Sequence, residues 1–299
     1  MFRELREAWL LASWKKRLKF FGWIGAGMVV VVAGSWVLRN WLGTADEMVP
    51  FDDELVMGEW AGPGMPPRPG GSPAALQQAI LDRNFEALGG VSRMESISSL
   101  RVAGEVTFGD GEVRSVVVLK KQGARIRIFM STPTGQFAMG LHPGDSWRAF
   151  WRAGELTLVE ELEAEQRASL RRATPVVSEL FHALRQEWPI AYIGQQTFNH
   201  KPAHTFEVEL SRQEKLRIFI DPETYLDAGR EEWVANAAGE LNITRQISSD
   251  YMNVDGYMVP GRVVTFLNDI PTQTFVVSRV QLNPGILDST FERPQPSAR

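Results

Sequence analysis

Residues 248–264 bring together the side chains that most resemble a catalytic site. The stretch reads SSDYMNVDGYMVPGRVV and holds two aspartates and two tyrosines. Paired carboxylates act as general acid and base when their pKa values differ. A β-hairpin explains the same residues, because Asp255-Gly256 is a favoured two-residue turn and tyrosines suit the strands on either side. We therefore predict a hairpin here and no catalytic role for Asp250 or Asp255.

The histidines are the other candidates for chemistry. The segment HKPAH places His200 and His204 at a spacing that metal ligands use, but Pro202 lies between them in a predicted turn and no third ligand is near. We expect a solvated loop. The sequence also lacks a Gly-rich phosphate loop, a nucleophile elbow and any cysteine. It therefore predicts no catalytic residue, no metal and no cofactor, and so a protein that is not an enzyme.

The composition is that of an ordinary packed protein with one unusual segment near its start. Of 299 residues, 44% are hydrophobic and 23% are charged, and the net charge of −4 argues against nucleic acid as a partner. Residues Phe20 to Leu38 carry no charge, and as a helix they would span about 28 Å, close to the hydrocarbon thickness of a bilayer. This segment predicts a transmembrane anchor.

Charge on either side of the anchor predicts its orientation. Basic residues, among them Lys15, Lys16 and Arg17, precede the anchor, and an acidic stretch follows it. Positive charge stays on the cytoplasmic side, so we expect an N-terminus in the cytoplasm and a C-terminal domain in the periplasm, with the anchor in a bacterial inner membrane. A cleaved signal peptide ending near Ala45 is the alternative, although the apolar segment is longer than such peptides usually have.

The predicted organisation has four parts. Residues 1–19 form a cytoplasmic tail, residues 20–38 the anchor, residues 39–73 a Pro/Gly-rich acidic linker, and residues 74–299 the folded domain. A helix opens this domain, with Ser72 as its cap, Pro73 at its first position and Gly89-Gly90 at its end.

Strands dominate the rest of the domain, because its apolar residues alternate with polar ones. The predicted strands are 100–108, 113–121, 125–130, 137–141, 147–151, 205–210, 216–220, 231–235, 241–247, 257–267 and 274–282. The exception is residues 158–188, which read as helical, with Thr174-Pro175 starting an apolar stripe that ends at Trp188. The fold class is therefore mainly β, a curved antiparallel half-barrel of 10–11 strands whose open apolar side is covered by helices.

Several pieces of the sequence resemble one known family. The segments EALGG, SISSLRVAGEVTF, FIDPETYLDAGR, SSDYMNVDGYMVPGRVV and LNPGILDSTFERP follow the order seen in the outer-membrane lipoprotein-sorting superfamily of LolA/LolB-like carriers. The resemblance covers residues 74–294. It implies an incomplete antiparallel barrel whose hydrophobic cavity receives acyl chains, with no cofactor and no catalytic residue. This chain departs from those carriers in its membrane anchor and in lacking a lipid-modified cysteine.

An apolar cavity is the predicted binding site, although a fully packed core would give the same sequence pattern. The residues predicted to line it are Val106, Phe108, Ile126, Ile128, Met130, Phe137, Met139, Leu141, Trp147, Trp151, Val177, Leu180, Phe181 and Leu184. The first hypothesis is an anchored, exported protein that binds an acyl chain or another apolar ligand, acting in envelope lipoprotein or lipid handling. The alternative is a periplasmic interaction or sensor module that docks an envelope protein.

Overall fold

The computed structural model describes residues 73–211, 214–235 and 241–295. The predicted cytoplasmic tail, the anchor at Phe20 to Leu38 and most of the linker lie outside these residues. Within the described ranges, no helix is both long enough and apolar enough to cross a bilayer.

One antiparallel sheet of thirteen strands organises the described residues. Its strands, with a short separate pair formed by β12 and β13, are β1 (Ser99–Phe108), β2 (Val113–Lys121), β3 (Arg125–Thr132), β4 (Gly135–His142), β5 (Asp145–Arg152), β6 (Glu155–Glu161), β7 (Ile190–Phe198), β8 (Lys201–Ser211), β9 (Glu214–Ile220), β10 (Asp227–Ala235), β11 (Leu241–Ser249), β12 (Met252–Val254), β13 (Tyr257–Val259), β14 (Arg262–Leu267) and β15 (Ile270–Leu282). The order across the sheet is β6-β5-β4-β3-β2-β1-β15-β14-β11-β10-β9-β8-β7. The last long strand, β15, therefore joins the two halves of the chain by pairing with β1.

The sheet curls strongly, as predicted. Six strand spacings separate β2 from β9, which would be about 29 Å in a flat sheet at ~4.8 Å per spacing. Val118 on β2 and Ile218 on β9 nevertheless line the same cavity of about 280 Å³. A cavity of that size touches both strands only if the sheet bends round towards itself, which is the effect of accumulated strand twist.

Two strands of the thirteen-stranded sheet were not predicted, and both lie at its edges. Residues 158–161, predicted to be helical, belong to β6, which returns along β5 after a turn at Ala153-Gly154, where φ is 50° and 84°. At the opposite edge, β7 alternates only weakly between half-buried and exposed residues. An edge strand packs on one side only, so its apolar pattern is weaker than that of a central strand. The prediction of 10–11 strands was therefore too low.

Helices cover one face of the sheet. They are α1 (Pro73–Ala87), α2 (Val91–Ser96), α3 (Ala164–Arg172) and α4 (Glu179–Arg185), and a 3₁₀ turn follows at Asp288–Phe291. The start of α1 at Pro73 and its end before Gly89-Gly90 confirm the prediction, and both glycines have positive φ. The residue predicted to cap α1, Ser72, lies outside the described residues.

The predicted helical insert is two short helices instead of one. A reciprocal capping box between Glu163 and Gln166 starts α3, and α4 begins after Ser178. Thr174-Pro175 was predicted to start a helix and instead lies in the non-helical connection 173–178. Proline fits the first turn of a helix and an extended loop equally well, because both accept its fixed φ. This connection reaches the site described below.

The outer face of the sheet, away from the helices, carries charge. On β8 and β9, Glu207 accepts hydrogen bonds from Lys215 at 2.6 Å and Arg217 at 3.0 Å. On β10 and β11, Arg245 donates to Glu231 at 2.8 Å. Cross-strand ion pairs of this kind are typical of a solvated sheet face.

Candidate ligand-binding cavity

A cavity of about 280 Å³ lies between the sheet, the connection 173–178 and the hairpin formed by β12 and β13. Small-molecule sites typically measure about 300–1,000 Å³, so this one is at the small end of that class. Its apolar walls come from four central strands, from β9 and from the connection, and include Val102, Val118, Val176, Ile218, Phe275 and Val277. The alternation of residues along these strands directs the side chains inward. The result is a hydrocarbon surface with space beside it.

Charged and hydroxyl side chains also face this cavity. Lys120 comes from β2, Asp227 and Arg230 come from β10, and Glu179 is the first residue of α4. Tyr251 lines the same space. Buried charges are costly unless they are paired, so the partners of each one decide what the cavity can bind.

Lys120 is strongly perturbed by this environment. Its Nζ donates a hydrogen bond to the carbonyl oxygen of Pro175 at 3.0 Å. Burial, and then the charge of Arg230, lower the pKa of Lys120 from 10.5 to about 7. The side chain keeps some accessible surface, but it lines the cavity and is surrounded by protein on its other sides. It is therefore an ammonium held largely away from bulk water.

Arg230 is compensated, in contrast to Lys120. Its guanidinium forms an ion pair with Glu179, lies 3.4 Å from Glu232 and donates to the Gln246 side chain at 2.8 Å. Glu232 also lies 3.4 Å from Arg172 on α3. Burial lowers the pKa of Arg230, while the charge of Glu232 raises it. The network ties α3 and α4 to β10, so it holds both helices over the sheet.

The hairpin predicted from residues 248–264 is confirmed, and it closes one side of the cavity. Asp255 and Gly256 form its turn, with φ of 47° and 85°. The turn docks against the end of α1, where a Cβ on Gly89 would lie 2.1 Å from the carbonyl oxygen of Gly256. Only glycine permits an approach this close. The aspartates predicted to have no catalytic role thus belong to a structural turn and its flank.

The tyrosines beside that turn bound the cavity, which the sequence did not reveal. Tyr251 donates a hydrogen bond from its hydroxyl to the carbonyl oxygen of Asp227 at 2.7 Å. Asn84 of α1 donates to the Asp227 carboxyl at 3.0 Å. Burial nevertheless raises the pKa of Asp227 from 3.8 to about 6, and burial also raises the pKa values of Tyr251 and Tyr257. These groups are therefore desolvated, and they join α1, β10 and the hairpin.

Most of the predicted lining residues lie in a closed core beside the cavity. Seven of them form one buried cluster beneath α3, together with Leu162, Leu170 and Ala173. The seven are Val106, Ile126, Ile128, Met130, Phe137, Met139 and Leu141, and Phe108 packs against them from the side. Strand alternation correctly turned these residues towards the helices. However, α3 packs against β4 and fills that half of the inner face.

The two predicted tryptophans lie on the opposite face of the sheet. Trp147 is fully buried there, its ring lies over Gly140, and its Nε1 donates to the carbonyl oxygen of Phe291 at 2.9 Å. Trp151 packs at the edge of the same outer cluster. The C-terminal segment covers this part of the outer face, so apolar residues face both ways on β5. Placing these tryptophans in the cavity was wrong for that reason.

The four predicted residues of the helical insert have separate environments. Leu180 and Phe181 are buried under α1, where the Phe181 ring meets that of Phe85 edge to face at 5.6 Å. Leu184 is 45% exposed on the far side of α4. Val177, on the connection, is the one predicted residue that lines the cavity as the structure describes it.

The two histidines of HKPAH are separated in the fold. His200 lies in the turn before β8 with φ of 63°, while His204 lies on β8 itself. The Nδ1 of His204 is 2.9 Å from the hydroxyl of Tyr192, and its ring stacks on Tyr225. Burial, and then the charge of Arg83, lower the pKa of His204. No group of three or more potential metal ligands is found in the part of the chain that the structure describes.

Solved structures resemble this chain over about seven tenths of its length. A DUF1329 family protein from Desulfovibrio piger is similar over 72% of this chain and 96% of its own, with 12% identity and a TM-score of 0.50. A LolA superfamily protein from Nitrosomonas europaea is similar over 72% and 97%, with 15% identity and a TM-score of 0.49. An outer membrane lipoprotein-sorting protein domain from Vibrio parahaemolyticus is similar over 71% and 94%, with 12% identity and a TM-score of 0.47. Neither a family model nor a curated protein matches the sequence.

At such low identities the likeness concerns the fold alone. The Desulfovibrio piger protein, with its TM-score of 0.50, supports a shared architecture. A large antiparallel sheet with a few helices is consistent with the LolA-like fold that the sequence segments predict. The shared fold does not assign a ligand, because one fold supports many functions. The cavity itself must carry the functional conclusion.

Proposed function

We propose that this protein is an exported, membrane-anchored binding protein that holds a hydrocarbon chain, such as an acyl chain, in the cavity and catalyses no reaction. The observation that carries the proposal is an apolar cavity of about 280 Å³ under the helices of a curled sheet. Its walls include Val102, Val118 and Phe275, which offer a ligand no nucleophile. Three of the charged groups that face the cavity, Asp227, Arg230 and Glu179, are tied into contacts between α1, α4 and the sheet.

The size of the cavity limits the ligand. If a methylene group takes about the ~30 Å³ that one water takes in the liquid, the cavity holds on the order of nine of them. Burying nine at ~0.8 kcal/mol each gains ~7 kcal/mol relative to water. Relative to a membrane, where the chain is already buried, the gain is near zero. Loading from a membrane and release back to it are therefore both thermodynamically accessible.

The anchoring and the location are supported by the sequence. Residues Phe20 to Leu38 have the length and the apolar character of a membrane span, and the basic residues before them favour a domain outside the cytoplasm. The Pro/Gly-rich linker at residues 39–73 would let the domain reach the membrane surface from its tether. A binding protein that draws its ligand from that membrane benefits from such proximity.

The test uses a matched pair of tryptophan substitutions on β2. Val118 lines the cavity, while its neighbour Val117 points to the outer face, where it pairs with Phe129. Full-length protein in nanodiscs is titrated with a fluorescent fatty-acid probe, and nanodiscs without protein correct for partitioning. We expect Val118→Trp to weaken probe binding at least tenfold, because the indole occupies the ligand's space, and Val117→Trp to leave it within twofold.

A second cavity variant keeps the test valid if Val118→Trp does not fold. Val177→Trp places the same bulk on the connection 173–178, outside any regular element, and should also weaken binding. Circular dichroism verifies that each variant is folded. Probe binding equal to the wild type in folded Val118→Trp and Val177→Trp would refute the proposal. Capture of an envelope protein by a chain that binds no probe would instead favour the interaction-module alternative.

A further inference from the structure

One cation in the cavity lacks an anionic partner. Lys120 donates to the carbonyl oxygen of Pro175, which satisfies one of the three N–H groups of its ammonium. No carboxylate among residues 73–211, 214–235 and 241–295 forms an ion pair with its Nζ. Glu179, which also lines the cavity, is engaged by Arg230. The positive charge of Lys120 is therefore uncompensated, with donors to spare.

The surroundings of Lys120 combine this charge with hydrocarbon. Leu100, Val118 and Val176 line the cavity together with it. A desolvated ammonium is costly unless an anion pairs with it, and water cannot stabilise it fully in an apolar space. A molecule with a hydrocarbon chain and a negatively charged head would satisfy both parts of the cavity at once. A neutral chain would satisfy only the walls.

We propose that the cavity selects a single-chain amphiphile with an anionic head, a carboxylate or a phosphate, whose oxygen accepts hydrogen bonds from the Nζ of Lys120. This inference rests on the proposed function and adds the chemical class of the ligand. The volume admits one slender chain of the length estimated above, which favours a monoacyl ligand over one with several chains.

The titration of Lys120 makes the selection sensitive to pH. Its pKa of about 7 means that roughly half of the ammonium has lost its proton at neutral pH, and a bound anion would raise that pKa again. An anionic ligand should therefore bind best below pH 7 and lose its advantage as the pH rises through the raised value. A tenfold advantage corresponds to one pKa unit, so the loss falls between about pH 7 and pH 9.

Other charged and titratable groups near Lys120 also affect how an anion would bind as the pH changes. Arg230 and Glu179 neutralise each other across the cavity. His182 on α4 has its pKa lowered, first by burial and then by the charge of Lys120. Asp227, with a pKa of about 6, becomes negative as the pH rises and so also disfavours an anion. Variants at Lys120 are needed to separate its titration from that of Asp227.

The experiment compares heads on one chain length in full-length protein held in nanodiscs. Decanoate, decyl phosphate and decanol are titrated by displacement of the fluorescent fatty-acid probe, at pH 6 and at pH 9. We expect decanoate or decyl phosphate to bind at least tenfold more tightly than decanol at pH 6, with the advantage largely lost at pH 9. The better of the two anions identifies the head group.

Substitution assigns the effect to one side chain. Lys120→Met should abolish the preference for the anionic head and its pH dependence, so that decanoate and decyl phosphate bind no more tightly than decanol at either pH. Lys120→Arg should retain the preference at both pH values, because guanidinium does not titrate in this range. Equal binding of all three ligands in the wild type would overturn this inference and leave the proposed function standing, whereas binding of none of them would overturn both.

Discussion

Replacing Lys120 with methionine should stabilise the protein, because the mutation removes a desolvated charge. The pKa of this lysine falls from 10.5 to about 7 on folding, a difference of 3.5 units. At ~1.36 kcal/mol per unit this is about 5 kcal/mol at low pH, and on the order of 4 kcal/mol at pH 7, where about half of the folded molecules have lost the proton. The lost hydrogen bond to Pro175 offsets about 1 kcal/mol.

The net expectation is a gain on the order of 3 kcal/mol at pH 7. For a domain of this size that gain raises Tm by roughly 6–12 °C, at about 2–4 °C per kcal/mol. The lowered pKa of Lys120 also determines how the stability of the protein depends on pH. The unfolded chain binds more protons than the folded one between pH 7 and 10.5, so the wild type becomes more stable as pH rises through this window. Lys120→Met should lack that increase.

The assay is thermal unfolding of full-length protein in nanodiscs at a series of pH values, with Lys121→Met as the control. Lys121 is the next residue on the same strand, and it faces outward to pair with Asp288 at 2.7 Å. A partly exposed ion pair is worth ~0–1 kcal/mol, so this control should lose a little stability. A lower Tm for Lys120→Met at pH 7, or a wild-type slope preserved in that variant, would refute the reasoning.

Three further predictions concern other parts of the structure. Gly89→Ala should lower the free energy of unfolding by at least ~2 kcal/mol, because its Cβ would lie 2.1 Å from the carbonyl oxygen of Gly256 at a φ of 120°. Gly90→Ala meets no close contact and should lower it by less. Hydrogen exchange of the hairpin compares the two variants. Asp227→Asn should raise the free energy of unfolding by up to ~3 kcal/mol at pH 7.5 and leave it unchanged near pH 3.5. The reason is that the folded protein, in which the pKa of Asp227 is raised from 3.8 to about 6, is destabilised only by the charged carboxylate. Tm values measured over a series of pH values check this. Met130→Glu should prevent folding, since Met130 is 1% exposed in a packed core, and a folded variant by circular dichroism would show that core to be open.

Much of the sheet could be predicted from the sequence because, in central strands, buried apolar residues alternate with more exposed ones along the chain. On β3, Ile126, Ile128 and Met130 are buried, and Arg127 and Phe129 between them are only half-buried. The turn at Asp255-Gly256 needs positive φ at both positions, so its residue types identify it. Edge strands such as β6 lack this information. An edge strand has a neighbouring strand along one edge only, so its side chains are more exposed to solvent and alternate less clearly between apolar and polar.

The position of the cavity could not be predicted, because it depends on where the helices pack. Alternation places Phe137 and Val118 on the same inner face, but α3 covers the first and leaves space at the second. One signal was available in the sequence. Lys120 shares a face with Val116 and Val118, so alternation puts a lysine on the apolar side of its strand. This lysine lies where the core opens into the cavity.

Covalent labelling measures most directly whether a hydrocarbon chain occupies the cavity. Full-length protein in nanodiscs would be irradiated with a decanoate analogue that carries a diazirine on its chain, and the labelled residues would be identified by tandem mass spectrometry. We expect labels on residues that line the cavity, above all Val118, Val177 and Val277, and competition by unlabelled decanoate. Labels confined to Phe20 to Leu38 and the outer face of the sheet would contradict the proposed binding site.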